Sequence, residues 1–387
     1  MIFAECTPTN IAGKSVHRRH ASGYDATHCP CYRSMNKNDN LPGGSMSAST
    51  DSGGPPAHAQ LIQMGTAYWG SQMLFVAAQL QIADRLAAGA RASSELAAEL
   101  DLNAAALHRF LRTLAGMGLL TEVKSKTFAL TPLGAALKKD APGSACASIL
   151  TLAGPIGQRS WELMPYSLET GKPGFDKGFG QSLFEYLAER PREASLFSET
   201  MVGFHGAEPP AVAAAYDFSG FRSIVDVGGA TGNMLADILQ RHRAPRGVLF
   251  DLPHVVADAP ALLAARGVAE RVSIEPGSFF ERVPAGHDVY ILSHIIHDWD
   301  PEQCRTILGH CRSAIDPKGR LLIVEMVLPE GDAPHPGKML DMMMLVGPGG
   351  QERTPSEYAE LLGGSGFKMT TVVPTASAVS VVEAIPV

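Results

Sequence analysis

The residues best suited to acid–base chemistry in this sequence surround His297. The apolar segment 288–293 predicts a buried strand, and His297 follows it in a loop that ends at Asp300 and Pro301, the predicted N-cap and first residue of a helix. A neutral imidazole in such a loop can take the proton of a phenol, and its ordinary pKa of about 6.5 leaves it unprotonated at cellular pH. We therefore predict that His297 is a general base, whereas His294 in the same loop is more simply a structural histidine.

Two carboxylates could hold that imidazole through its second ring nitrogen. Glu325 ends the apolar segment 321–325, where a buried carboxylate is costly without a partner. Glu352 lies in a glycine-rich loop before another predicted helix. Either carboxylate could orient the ring and stabilise the imidazolium, as orienting carboxylates generally do. The alternative for each is a structural ion pair, for instance with Arg353.

A glycine turn after a second apolar segment predicts a nucleoside-binding βαβ unit. The stretch 223–232 runs from a β-branched strand into a turn that contains Gly228 and Gly232, where the main chain can come close to a ligand. The next apolar strand ends at Asp251, an acid placed to accept hydrogen bonds from two ribose hydroxyls. The glycine spacing does not fit a dinucleotide fingerprint. Asp226 would repel a phosphate but suits the ammonium of a bound amino acid, such as the methionine part of S-adenosylmethionine; the alternative is a tight turn without a ligand.

The elements that must position these residues alternate between strand and helix throughout 221–387. We predict strands at 223–228, 247–251, 271–275, 288–293, 320–327, 367–373 and 379–384, with helices near 232–242, 254–266, 301–315, 337–346 and 355–364. Such alternation predicts an α/β domain with a doubly wound, seven-stranded, mostly parallel Rossmann-like sheet. Ligands of these sheets bind beyond the carboxyl ends of the strands, where each candidate residue lies.

The segment 58–145 predicts a mainly helical winged-helix module that pairs protomers. Its elements are predicted helices over 63–86, 93–100 and 104–117 and a hairpin over 118–130. Residues 61–140 contain eight Lys and Arg against six Asp and Glu, a balance of only 8 − 6 = +2. DNA readers use many more cationic contacts, so we predict a homodimer without nucleic acid.

The regions that flank this module have different compositions. Residues 146–220 are predicted to be helical and rich in aromatic side chains, which form core and a lid over a flat apolar substrate. Residues 1–57 lack periodicity, which predicts a disordered leader; it could be processed, or translation could begin at Met46. The leader contains potential zinc ligands, namely His17, His20, His28, Cys29 and Cys31. Their spacing does not fit a structural zinc site, so we predict no metal.

The composition is that of an ordinary globular enzyme. The 387 residues are 45% hydrophobic and 18% charged, with a net charge of −7, which argues against nucleic acid as the main partner. We find no apolar run of membrane-spanning length and no secretory signal, so no membrane association is expected. Three of the six cysteines lie in the first 31 residues and the other three show no framework spacing, which indicates free thiols and a cytoplasmic location.

Four motifs, in this order, resemble those of the small-molecule O-methyltransferases that use S-adenosylmethionine and share a winged-helix dimerisation domain. They are Asp-Val-Gly-Gly-Ala-Thr-Gly ending at Gly232, Phe-Asp-Leu-Pro-His ending at His254, His-Asp-Trp beginning at His297, and Gly-Gly-Gln-Glu-Arg-Thr ending at Thr354. The resemblance extends from about Gln60 to the C-terminus. Bacterial polyketide- and antibiotic-tailoring enzymes belong to this family, as do plant caffeic acid and flavonoid enzymes. The resemblance implies methyl transfer to a hydroxyl of an aromatic or polyketide-like molecule.

The resemblance also implies roles for individual residues. His297 would be the base, flanked by Glu325 and Glu352. Besides Asp226, Gly228, Gly232 and Asp251, the cofactor would contact Leu252, Ser278, Phe279 and Ser293. The acceptor or the sulfonium would contact Phe197, Met201, Asp298 and Met344.

Three positions depart from the family pattern. Ala230 replaces a glycine in the middle of the turn, and Ser278 replaces an acid, so adenine recognition is expected to be weaker or rerouted through water. Ser293 stands where plant members have lysine. Two alternatives stay open: the same cofactor fold with N-methylation, decarboxylation or hydroxylation, and a winged-helix regulator that binds DNA.

Overall fold

The computed structural model describes residues 55–387. The predicted disordered leader and its potential zinc ligands lie outside these residues, except that Ala57 already begins the first helix. Among the residues described, no helix combines the length and the apolarity needed to cross a membrane. Three cysteines in this part of the chain, Cys146, Cys304 and Cys311, are buried free thiols.

The first elements form a helical module with a small antiparallel sheet, strand order β1–β3–β2. The elements are α1 (Ala57–Thr66), α2 (Tyr68–Gln79), α3 (Ile82–Arg85), β1 (Arg91–Ala92), α4 (Ser93–Leu100), α5 (Ala104–Gly116), β2 (Leu120–Lys124), β3 (Thr127–Leu130) and α6 (Pro132–Ala135). The prediction of one helix over 63–86 is wrong. The helix is interrupted at Ala67 and again at Gln81, whose left-handed φ of 52° redirects the chain so that Ile82 and Leu86 are buried.

This module has its own apolar core. Leu107, Leu111 and Leu114 recur on one face of α5 and are buried. They belong to the same core as Leu96 of α4 and Phe128 of β3. Helices that pack against an antiparallel ribbon confirm the predicted winged-helix arrangement.

Helices α7 to α13 follow this module. They are α7 (Cys146–Leu152), α8 (Pro155–Glu162), α9 (Met164–Thr170), α10 (Gly174–Phe179), α11 (Leu183–Ala188), α12 (Pro191–His205) and α13 (Glu208–Ala215). A hydrogen bond of 2.9 Å between the hydroxyls of Thr151 and Thr200 joins α7 to α12. The rings of Phe175, Phe179 and Tyr186 form an aromatic cluster with centroids 4.4–5.5 Å apart. The segment is helical as predicted, and part of its aromatic content is core.

A seven-stranded sheet with flanking helices forms the rest of the chain. Its strands are β4 (Ser223–Val227), β5 (Arg246–Asp251), β6 (Val272–Pro276), β7 (Val289–Ser293), β8 (Arg320–Glu325), β9 (Phe367–Pro374) and β10 (Ser380–Pro386). Its helices are α14 (Asn233–Arg241), α15 (Ala259–Ala265), α16 (Pro301–Ala314), α17 (Gly337–Val346) and α18 (Pro355–Gly363). The strand order is β6–β5–β4–β7–β8–β10–β9, with β10 antiparallel to both neighbours and the first five strands of that order parallel. This confirms the predicted mostly parallel sheet.

Both faces of the sheet are buried, because helices cover each side. Val225 and Val227 of β4 pack into one core and Ile224 into the other, since successive side chains of a strand point to opposite faces. The chain proceeds outward from β4 through β5 to β6 and then returns to β7 on the other side of β4. The reversal between β4 and β7 places a crevice at their carboxyl ends, where ligands of such sheets bind.

Candidate active site

The glycine turn after β4 is held in a conformation that favours glycine. Gly228 and Gly232 have φ values of +72° and +88°, and Ala230 between them has a φ of +50°. A Cβ at Gly228 would lie 2.4 Å from Cδ1 of Ile295 and 3.4 Å from Cε1 of Phe279, so a side chain at this position would collide with Ile295. The left-handed φ of Ala230 explains why a glycine is the more usual residue there.

Asp251 at the end of β5 is tied to this turn. Its Oδ2 accepts a hydrogen bond of 2.9 Å from the Ala230 N–H, and its Oδ1 accepts one of 2.6 Å from the Leu252 N–H. Burial raises the pKa of Asp251. Each carboxylate oxygen has a further lone pair, so the pair of oxygens can still accept two hydroxyl donors. Leu252 is 41% exposed beside it and offers an apolar surface.

Asp226 is enclosed beneath the turn rather than set in its open face. It is 1% exposed, and its carboxylate oxygens are poorly hydrogen-bonded among the described residues, where only the Leu235 N–H acts on them as a weak donor. Burial, and then the charge of Asp251, raise the pKa of Asp226 to about 7. A buried carboxylate so weakly paired is stabilised by a proton or by a nearby cation. The turn, Asp226 and Asp251 together fit a ligand that carries ribose hydroxyls and a positive charge.

The other predicted cofactor residues lie around the same crevice. Phe279 reaches the side of Gly228 and makes an edge-to-face contact of 6.0 Å with Trp299. Ser278 precedes it, and the Oγ of Ser278 accepts a hydrogen bond of 3.3 Å from the Phe280 N–H. Ser293 ends β7 next to β4, and its Cα is paired with that of Val324 in β8. The structure therefore brings all eight predicted cofactor residues to one edge of the sheet, and their contacts with a cofactor stay predictions.

His297 lies in a short 3-10 turn at the carboxyl end of β7 and is 5% exposed. Its Nδ1 lies 2.6 Å from Oε1 of Glu352. Its backbone N–H donates to Oε1 of Glu325 over 3.0 Å, and Tyr358 donates its hydroxyl to the other oxygen of Glu325. The two carboxylates thus have different tasks, because Glu352 holds the ring while Glu325 holds the main chain that carries it.

The surroundings of His297 favour a different charge state from the one that its sequence position suggested. Burial by itself lowers its pKa, but the charges of Asp298, Glu352 and Glu325 outweigh burial and raise the pKa of His297 to about 10. Nε2 lies 3.6 Å from Oδ1 of Asp298. The pKa is therefore raised above the ordinary value expected from the sequence, and these carboxylates favour the imidazolium over the neutral ring. A positive charge bound nearby lowers such a pKa.

The loop that contains Glu352 clamps the His297 turn from the other side. A Cβ at Gly350 would lie 1.8 Å from the backbone oxygen of His297, so the two main chains are in direct contact. The Gln351 N–H donates to that oxygen over 2.8 Å, and the buried guanidinium of Arg353 donates to the Ile296 carbonyl over 3.2 Å. Arg353, considered from sequence as an ion-pair partner of the carboxylates, thus supports the backbone of the turn.

The predicted acceptor residues come from three elements. Phe197 of α12 packs against the aromatic cluster, and Met201 follows one turn later. Met344 of α17 is 5% exposed, and Asp298 directly follows His297. The ring of Phe184 in α11 stacks on that of Trp299 at 5.2 Å. Helices of segment 146–220 therefore contact the His297 loop.

Sequence reasoning missed three residues that interact here. His294, predicted to be structural, lies 5.0 Å from His297 between ring centroids. It contacts Glu208, which also contacts His205. No sequence motif connects this group, because Glu208 and His294 are 86 residues apart. His205 and Glu208 are only three residues apart, but a histidine and an acid at that spacing are too common to indicate a site.

Comparison with known proteins places these features in a wider group. A family model for the O-methyltransferase domain matches residues 161–368, and one for the O-methyltransferase dimerisation domain matches residues 62–140. The chain is 43% identical over 342 residues to "Phenazine O-methyltransferase PhzM" of Lysobacter antibioticus, covering 88% of this chain and 100% of that one. It is 32% identical over 321 residues to "Phenazine-1-carboxylate N-methyltransferase" of Pseudomonas aeruginosa, covering 82% of this chain and 94% of that one.

A solved structure shows a similar fold with ligands. It is the O-methyltransferase NcsB1 from neocarzinostatin biosynthesis, in complex with S-adenosylmethionine and 2-hydroxy-5-methyl naphthoic acid. The TM-score is 0.73 at 31% sequence identity, and the match covers 82% of this chain and 96% of that one.

Proposed function

This chain belongs to the S-adenosylmethionine-dependent O-methyltransferase family, and we propose that it transfers a methyl group to a hydroxyl of an aromatic or polyketide-like small molecule. The observation that carries the proposal is the buried contact of His297 Nδ1 with Glu352, at 2.6 Å. This contact leaves Nε2 as the ring atom able to meet an acceptor. A hydroxyl acceptor needs such a base, because its proton must leave as the new O–CH₃ bond forms.

The residues around the crevice divide the work of the reaction. S-adenosylmethionine supplies an electrophilic methyl group on a sulfonium sulfur. We assign the binding of its ribose to Asp251. Gly228 and Gly232 allow it to lie against the main chain, and Asp226 balances its positive charge. Positioning is the larger part of catalysis in an in-line displacement of this kind.

His297 carries the proton step. The neutral ring accepts the acceptor's proton at Nε2, and Glu352 stabilises the imidazolium that results. The ring must first lose the proton that its raised pKa retains in the unliganded protein. A positively charged methyl donor held in this crevice would lower the pKa of the ring and so favour the loss of its proton.

Phe197, Met201, Met344 and Asp298 are assigned to the acceptor side. The first three give a flat aromatic ring an apolar surface. The contact between Phe184 and Trp299 lets helix α11 cover the loop that holds His297. We therefore assign the helical segment 146–220 to acceptor binding and to the exclusion of water.

The chain contains the family's dimerisation domain, and we propose that it acts as a homodimer through α1 and α2. Helix α1 has no buried residue in the single chain. Large apolar side chains on these two helices are exposed: Leu61, Ile62, Met64, Tyr68 and Trp69. A partner copy would bury them.

The test is methyl transfer from labelled S-adenosylmethionine to a panel of hydroxylated aromatics, with products identified by mass. We expect methyl ethers from the wild-type protein, and a decrease in kcat of roughly 10²–10⁴-fold for His297→Gln. Calorimetry should show that the variant binds the donor as the wild type does. A variant with wild-type kcat would place the base elsewhere.

A second candidate is N-methylation, because the similar protein of Pseudomonas aeruginosa is named as an N-methyltransferase. An aromatic nitrogen with a free lone pair needs no base before it attacks. Transfer to heteroaromatic nitrogens that is insensitive to His297→Gln would favour this candidate over O-methylation.

A further inference from the structure

A hydrogen-bonded group of three side chains lies beside His297 and has no part in the reaction described above. His294 Nε2 lies 2.6 Å from Oε2 of Glu208, and His205 Nδ1 lies 3.1 Å from the same oxygen. The rings of His205 and His294 are 3.8 Å apart between centroids. Glu208 begins α13, His205 ends α12 and His294 follows β7, so three elements converge on one carboxylate.

The hydrogen bonds of Glu208 fix the tautomer of His294. Burial acts to raise the pKa of Glu208, but the hydrogen bonds from His205 and His294 outweigh it and lower the pKa to about 2. An ionised carboxylate only accepts, so His294 donates from Nε2. Burial lowers the pKa of His294 to about 4, which leaves the ring neutral with a lone pair on Nδ1. Nδ1 is buried, and no partner for it exists among the residues described.

The surroundings of the His294 ring connect it to the acceptor side. Phe197, Met201 and His205 recur at intervals of four along α12, so they lie on one face of the helix. His294 is held at a φ of +55°, a conformation that L residues seldom adopt and that clusters at functional sites. The ring so placed lies 5.0 Å from that of His297.

We propose that His294 is a second acceptor-binding residue, whose Nδ1 accepts a hydrogen bond from an N–H or O–H group next to the methylated position. Glu208 is the residue that positions it. The proposal rests on the proposed function and narrows its substrate class. The acceptor is an aromatic ring that carries a hydroxyl and, on the adjacent carbon, a second hydrogen-bond donor such as a hydroxyl or an amino group.

Two imidazoles and a carboxylate are also a ligand set for zinc, and the geometry favours the hydrogen-bonded arrangement. Ligand atoms in a tetrahedron with bonds of 2.0–2.1 Å lie about 3.3 Å apart. The separation of 2.6 Å between His294 and Glu208 is instead that of a charge-assisted hydrogen bond.

The test compares an aromatic vicinal diol with the same ring carrying a single hydroxyl. The proteins are wild type, His294→Phe, Glu208→Gln and, as a matched control on another element, His310→Gln of α16. We expect His294→Phe to lower kcat/KM for the diol by about 10- to 100-fold, the value of one hydrogen bond to a buried acceptor. Glu208→Gln should act in the same direction, and the ratio between the two acceptors should not change in the control.

Several outcomes would overturn the proposal. Equal losses on both acceptors would indicate a merely structural role, and a wild type without preference for the diol would show that Nδ1 recognises nothing there. If the wild type contained one equivalent of zinc and Glu208→Gln lost it, the three side chains would form a metal site and the proposed role of Nδ1 would be wrong. Methylation of the monohydroxy ring by the wild type shows that the proposed function holds whichever result the diol gives.

Discussion

At the scale of single residues, the proposed role of His297 as a base makes two opposing demands on its charge. Three carboxylates surround it and favour the imidazolium, which suits the moment after the proton has moved. A base must be neutral before that moment. In the unliganded protein the carboxylates prevail over burial, so the pH dependence of the enzyme should show the raised pKa.

We predict that kcat/KM rises with pH towards about 10, because this parameter reports the essential groups of the free enzyme. The group must be deprotonated to act, so activity is lost as the pH falls below the pKa of His297. Glu352→Gln removes one negative charge from the ring and should move the profile to lower pH while decreasing kcat. Profiles should be measured with two acceptors whose hydroxyl pKa values differ. A midpoint set by ionisation of the acceptor would differ between the two acceptors, whereas a midpoint set by His297 would be the same for both. An alkaline limb that follows only the acceptor would contradict the assignment.

Asp251 gives a second prediction at this scale. Asp251→Ala removes the acceptor for the Ala230 and Leu252 N–H groups along with the proposed ribose contacts. Hydrogen bonds to charged groups contribute about 1.5–3 kcal/mol, so the affinity for S-adenosylmethionine, measured by calorimetry, should fall by at least about tenfold. The exposed Asp258, changed to Ala, is the control. If Asp251→Ala bound S-adenosylmethionine as tightly as the wild type does, the assignment of this residue to the cofactor site would be wrong.

At the scale of elements, the contact between the Gly350 loop and the His297 turn should determine where the His297 ring lies. Gly350→Ala places a methyl group against the backbone oxygen of His297, and backbone cannot yield as a flexible side chain can. We expect a loss of about 1–3 kcal/mol in unfolding free energy and a clear decrease in kcat. Gly363→Ala, at the end of α18 with open space around it, should be neutral or stabilise by up to about 1 kcal/mol. Chemical denaturation of both variants measures the difference, and equal stability would show that the loop gives way.

Elements whose pattern is set locally could be predicted from the sequence. Strands β4 and β7 are buried on both faces and therefore appear as continuous apolar segments, and Asp300 and Pro301 begin α16 with the cap that was predicted. The interruptions at Ala67 and Gln81 could not be read, because neither residue breaks a helix by its own chemistry and packing decides where the chain turns.

The site likewise has features that the sequence predicts and features that only the fold determines. The positions of His297 and Glu352 followed from motifs, but the charge of His297 depends on carboxylates that only the fold assembles. The pairing of Glu208 with His294 likewise arises from the meeting of α13 with the end of β7.

At the scale of the whole molecule, the exposed apolar face of α1 and α2 needs an explanation. Trp69 is 60% and Leu61 69% exposed, and an exposed patch of this kind marks an interface. Tyr68 also lines a cavity of about 1010 Å³ with Trp161 and Phe204, so the face continues into a groove.

We therefore predict that Trp69→Glu converts the protein from dimer to monomer, because a carboxylate buried in an apolar interface without a partner costs several kcal/mol. Val123→Glu is the matched control, since Val123 is 55% exposed on the hairpin strand β2 of the same module. Sedimentation velocity over a concentration series distinguishes the two states. Circular dichroism should show that both variants keep their helical content. A Trp69→Glu protein that sediments as the wild type does would place the interface elsewhere, and a monomeric Val123→Glu protein would move it to the hairpin.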